Sequence, residues 1–139
     1  MEFIIGAILL ICVLFFLMGL KSQKGTAKGL ENGQLAEPGS APNSVSSEED
    51  VQPERKIAPL KGELANIKAA IKATGGTITS ETDSYLSATY MSKLFKFVDD
   101  VEIRYDTGNI WQVRSASRVG YSDRGVNRKR VETIRAHLS

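Results

Sequence analysis

FVDDVEIRYDTGNIWQVRSAS, residues 97–117, decides the fold. Side chains alternate faces along a strand, so period two sorts this stretch into rows. Phe97, Asp99, Val101, Ile103 and Tyr105 share one face; Asp100, Glu102 and Arg104 share the other. Asp106-Thr107-Gly108-Asn109 is a turn signal. Beyond it Ile110–Ser117 alternates again, with Trp111, Val113 and Ser115 opposite Gln112 and Arg114. Matching the apolar rows pairs Tyr105 with Trp111, Ile103 with Val113 and Val101 with Ser115. The same register sets Glu102 across from Arg114, and it predicts a five-residue loop rather than a two-residue hairpin turn. Asp99 falls on the apolar face, where a carboxylate needs a cation and hydrogen bonds.

Upstream, Thr77–Thr82 and Tyr85–Ser92 read as strands joined at Asp83-Ser84, with Leu86, Ala88 and Tyr90 facing inward. Lys93-Leu94-Phe95-Lys96 connects to the central hairpin, its apolar pair covering a sheet edge or the core rim. Before these strands, Leu60, Leu64, Ile67 and Ile71 recur at helical spacing, with Lys61, Lys68 and Lys72 opposite. Pro59 suits the start of that helix and Gly75-Gly76 its end. Downstream, a helix begins between Asp123 and Asn127, capped by Ser122 or Asp123, with Val131, Ile134 and Leu138 as its stripe. The expected architecture is α+β: helix, four-stranded antiparallel sheet, helix, both helices on one sheet face. A domain of some 80 residues has a thin core, burying only about 60% of its unfolded surface.

The N-terminal part is different. Phe3–Leu20 is 18 residues without a charge. A helix of that length reaches about 27 Å, enough to cross a bilayer core. A cleaved signal would want a basic leader and a small-x-small site; only Glu2 precedes the run and no such site follows. The expectation is a single transmembrane anchor over 1–20, with Cys12, the sole cysteine, as a lipid-facing apolar residue and no disulfide. Lys21, Lys24 and Lys28 flank its C-terminal end, which predicts the folded domain on the cytoplasmic side of a bacterial inner membrane. Residues 21–56 are polar and aperiodic and read as a disordered linker, with Glu48-Glu49-Asp50 a solvated acidic patch. The folded domain is then 57–139.

Charge points to a candidate site. The formal net charge of +2 is too small to imply nucleic acid. Its placement is uneven: Arg114–Leu138 holds seven basic residues against Asp123 and Glu132. Arg124, Arg128, Lys129 and Arg130 crowd a helix start, where the dipole disfavours cations. One expectation is internal: Asp99, Asp100, Glu102, Arg114 and Asp123, with Glu132, form a polar clasp that locks the last helix to the sheet. The other is that Arg118, Arg124, Arg128, Lys129 and Arg130 hold an anion such as a phosphate, a lipid headgroup or a partner's carboxylate.

Catalytic sets are weak. Asp99 and Asp100 point to opposite faces and cannot share a substrate. Ser92, Ser115, Ser117 and Ser122 have only His137, near the chain end, for a base. Neither Cys12 nor His137 suits a metal, and no phosphate-binding glycine loop of Walker or Rossmann spacing occurs. No cofactor is expected. The expected function is a non-enzymatic, membrane-anchored binding or scaffolding module meeting an anionic protein or lipid headgroup. The alternatives are an enzyme using Asp99 or Asp123, and a weak nucleic-acid binder.

Leu94–Glu102, Arg114–Asp123 and Gly125–Glu132 together resemble the family catalogued as domain of unknown function 1499. The resemblance runs from about Pro42 to the C-terminus. It implies a small protein, often exported or membrane-attached, which would favour the periplasmic side over the lysine flank's cytoplasmic one. The family has no established activity, so no catalytic residues carry over. Asn43–Ser47 resembles the family's opening motif, with Ser44 where a cysteine is usual.

Overall fold

A computed structural model describes residues 1–138. The elements in chain order are α1 (Glu2–Gln23), β1 (Leu30–Glu31), β2 (Gln34–Leu35), β3 (Ser44–Ser46), a 3-10 turn (Pro53–Arg55), β4 (Leu60–Lys61), α2 (Leu64–Ala73), β5 (Thr77–Glu81), β6 (Tyr85–Met91), β7 (Val98–Thr107), β8 (Ile110–Ser117) and α3 (Val126–Ala136). The class is α+β. The main sheet is antiparallel and six-stranded, ordered β3-β8-β7-β6-β5, with β4 also pairing β8. Strands β3 and β4 lie end to end along one edge, against Arg114–Ala116 and Ile110–Trp111.

Two of these strands lie outside the four expected. The helix predicted from Pro59 starts instead at Leu64, and Leu60–Lys61 are strand. Leu60 is buried as the periodicity required, but by pairing beside Trp111 rather than as a helix turn. Gly62 has a φ of +153°, which a helix cannot continue through.

The central hairpin takes the predicted pairs: Tyr105 with Trp111, Ile103 with Val113, Val101 with Ser115 and Glu102 with Arg114. The loop differs. Thr107 pairs with Ile110, leaving a two-residue turn at Gly108-Asn109, whose φ values are +51° and +62°. A bulge between Tyr105 and Thr107 absorbs the extra residue, so the short turn and the register coexist.

The core sits on one face. Ile67, Ala70 and Ile71 of α2 and Val131 and Ile134 of α3 meet Leu86, Ala88, Tyr90, Val101, Ile103, Trp111 and Val113. The other face carries Asp100, Glu102, Arg104 and Arg114, and it is covered as well. Residues 24–36, read from composition as disordered linker, lie across it, with β2 against β7 and β8. Leu35 and Ala36 are buried. The covering segment lacks apolar periodicity because the surface beneath it is polar; it is held by hydrogen bonds through its backbone. Glu48, expected in a solvated patch, is buried. Its carboxylate accepts the Leu35 amide at 2.9 Å and two bonds from Arg104 at 2.5 and 2.7 Å.

Helix α1 is the one described helix long and apolar enough to cross a membrane. It is exposed along most of its length, but its last turn is not free. Gly19 and Ser22 are buried. The Ser22 hydroxyl donates to the Gly19 carbonyl and accepts the Val98 amide at 3.0 Å. Arg118 donates to the Ser22 and Gly25 carbonyls at 3.1 and 2.6 Å. The helix is therefore seated on the domain, not joined to it by a slack tether.

Amide hydrogen exchange checks this cover. The Gly29 and Leu35 amides, bonded to Glu102 and Glu48, are expected to exchange far more slowly than neighbours at the exposed Asn32-Gly33 tip. A disordered linker would lose all four amides at the same fast rate.

Candidate functional site

The residues singled out by charge divide between the two sheet faces, because β7 and β8 alternate. Arg114 and Glu102 meet on the covered face at 3.5 Å, both almost fully buried. Glu102 also accepts the amides of Lys28 and Gly29 at 3.2 and 3.1 Å and the Tyr85 hydroxyl at 3.0 Å. Four donors thus answer one carboxylate, the arrangement a buried charge requires. Burial, then the Glu102 charge, push the Tyr85 phenol far above its usual range, so it stays a neutral donor. Arg118 forks onto both Asp100 oxygens at 2.7 Å. Those bonds hold the guanidinium above its ordinary value despite burial.

On the core face, Arg130 pairs with Asp99 at 2.9 Å and lies 4.8 Å over the Tyr90 ring. Burial raises the Asp99 carboxyl, and Arg130 and Ser117 only partly offset that. Asp123 caps α3 from outside it. Its two oxygens accept the Gly125 and Asn127 amides at 2.8 and 3.1 Å. The N-cap residue is Gly125, left-handed at φ +79°, rather than Ser122 or Asp123.

The centre of this polar group is Asn127, which charge alone does not reveal. It is fully buried. Its amide nitrogen donates to the Asn43 carbonyl, the Ser117 hydroxyl and Asp123 at 3.0, 3.0 and 2.8 Å. Its amide oxygen accepts from Ser115 at 2.6 Å and Arg130 at 2.9 Å. One side chain therefore ties β3's approach, β8, the helix cap and the Arg130–Asp99 pair together. A signal existed: Asn127 shares the stripe of Val131 and Ile134 at spacings of four and three. For Glu48 no comparable signal exists, since its segment has no period.

Of the five basic candidates, three are engaged internally. Arg118 and Arg130 hold aspartates, and Arg128 donates to the Lys56 and Glu54 carbonyls at 2.9 and 2.8 Å. Arg124 and Lys129 have exposed side chains. Arg128 also lines an open cleft of about 290 Å³ with Pro42, Arg55, Ser122, Asp123 and Gly125 at the start of α3. The Asp99 and Asp123 carboxylates are pinned by Arg130 and by the helix amides. His137 sits at the far end of α3 against the Thr133 carbonyl. Among the described residues no group of three His, Cys, Asp or Glu side chains is placed to hold a metal.

Residues 34–138 match a family model described as protein of unknown function (DUF1499). No curated protein is significantly similar to the chain. The matched region runs from β2 through α3 and excludes α1.

Two measurements check the site's energetics. Asn127→Ala strands several buried donors and acceptors at once, each worth about 1–3 kcal/mol. Chemical denaturation is expected to show a loss of about 3 kcal/mol or more. The second concerns pH. Burial would raise the Glu48 carboxyl, but the Arg104 hydrogen bonds, the Leu35 amide and the Arg104 charge outweigh it and hold it below 4.5. A depressed folded value stabilises the fold above the unfolded value, and that stability is lost as pH falls through the folded one. Glu48→Gln is therefore expected to be less stable at neutral pH and to lose less on acidification below about 4.5. A parallel acid limb in wild type and variant would refute the assignment.

Proposed function

We propose, for a chain that belongs to the protein of unknown function (DUF1499) family, a role as a non-enzymatic, single-span membrane-anchored binding module. Helix α1 is its anchor, and Lys21, Lys24 and Lys28 put the domain on the cytoplasmic side. Its contact surface is the basic corner at the start of α3, reduced to Arg124, Lys129 and the outer edge of Arg128. The group bound there is anionic, and a lipid headgroup suits it best.

What supports this is the seating of α1. The helix meets the sheet at the end where β7 begins and β8 finishes, through Val98 and Arg118. The loop 118–125 leaves β8 at that same end. A bilayer around α1 would face that end of the sheet, and at low salt its anionic headgroups would attract Arg124 with little screening. Tyr121 on the same loop is 74% exposed, an aromatic of the kind that settles at a membrane interface. An acid or base role for Asp99 or Asp123 fits less well, because each is already committed to neighbours.

The test uses the full chain in nanodiscs of neutral or anionic phospholipid. Backbone amide shifts of residues 121–129 are expected to differ between the two lipids. The difference is expected to shrink in high salt and to vanish in the Arg124→Glu/Lys129→Glu double variant. Both side chains are exposed, so the variant should keep its fold. Identical shifts in both lipids would overturn headgroup binding.

A further inference from the structure

We infer that the connection Lys93–Phe97 is a second membrane contact, in which Leu94, Phe95 and Phe97 enter the bilayer interface while Lys93 and Lys96 meet headgroup phosphates. This rests on α1 being the anchor. The contacts of α1 with this connection then fix where it must lie.

Phe15 packs on both aromatic residues of the connection, with ring centroids 5.3 Å from Phe95 and 6.1 Å from Phe97. Phe15 is five residues inside the end of the apolar run at Leu20. At 1.5 Å per residue that is about 7.5 Å of helix. The interfacial band between hydrocarbon and water is about 5–8 Å deep on each side. The 18-residue run only just spans the hydrocarbon, so Leu20 lies at its edge, and side chains level with Phe15 reach through the interface and past that edge.

The approach cannot be relaxed by sliding. A methyl group on Gly19 would lie 1.8 Å from the Phe95 carbonyl oxygen, so helix and connection touch through backbone. One turn further on, Gln23 donates to the Lys96 carbonyl at 3.3 Å and Ser22 accepts the Val98 amide. Leu94 then projects from a surface already at the membrane and is 79% exposed. Met91 beside it is 55% exposed. Leu94 and Met91 contribute nothing to the core, and water is a poor environment for either. Lys93 and Lys96 bracket the apolar pair and are exposed. Their stems can lie along apolar chains while the ammonium groups stay among phosphates.

Tryptophan placed at two depths tests this in full-length protein reconstituted in vesicles of mixed neutral and anionic phospholipid. The native Trp111 is 4% exposed and gives a fixed background. Leu94→Trp emission is expected to fall strongly with lipids brominated near the headgroup and little with lipids brominated near the chain ends. Leu9→Trp, near the middle of α1, is expected to show the reverse and reports on the anchor alone. A deep-quenched Leu9→Trp with an unquenched Leu94→Trp overturns the second contact and leaves the anchor standing. If neither is quenched, the anchor fails too. A blue-shifted but unquenched Leu94→Trp would mean that protein, such as a second copy of the chain, covers the connection, and would also overturn it. Lys93→Glu is expected to reduce shallow quenching in the anionic vesicles.

Discussion

A carboxylate in the middle of a sheet face governs this structure. Glu102 is fully buried, with Asp100 and Arg114 as buried neighbours on the same face. An ionised row of this kind is costly to remove from water unless each charge has partners of good geometry. Side chains supply some: Arg114, Tyr85 and Arg118. The rest come from backbone, through the Lys28 and Gly29 amides on Glu102 and the Gly25 carbonyl on Arg118. The segment between α1 and the domain is therefore part of the domain. Removing it would leave Glu102 short of two donors.

The same requirement explains what was legible in sequence. The central hairpin was readable residue by residue, because one of its faces packs on apolar helices and period two survives there. Ile103 opposite Val113, and Glu102 opposite Arg114, followed from that pattern. The bulge at Asp106 was not readable, since it changes loop length without changing register. Strand β3 and the cover over residues 24–36 were hidden for another reason. Their partners are polar, so burial leaves no hydrophobic period. Ser44, Ser46 and Ser47 are all buried, yet in composition they look like linker. Asn127 lay between these cases, visible as a polar residue on a buried stripe.

The basic stretch that ends the chain changes meaning in this light. Most of its cations answer a carboxylate or a carbonyl: Arg114 on Glu102, Arg118 on Asp100, Arg130 on Asp99, Arg128 on Lys56 and Glu54, and Arg135 on the Pro59 and Ala58 carbonyls at 2.5 and 2.7 Å. Positive charge at a helix start is here largely a fastening for the loops packed around it. Arg124 stands apart, held at φ +53° next to the left-handed Gly125. A bulky residue in that conformation is uncommon. The turn presents its side chain away from the network that occupies its neighbours.

The seat of α1 also bears on the order in which the chain can be completed. Val98 and Arg118 contact Ser22 across 76 and 96 residues of sequence. Such distant pairings form late, because a long loop must close before they contribute. During synthesis α1 is available from the start, while Arg118 emerges only after the whole central hairpin. The covering segment must wait as well, since Glu102 and Asp100 do not yet exist to bind it. For most of its translation the molecule is an N-terminal helix trailing an uncovered chain. Folding and seating then close together, as one late event.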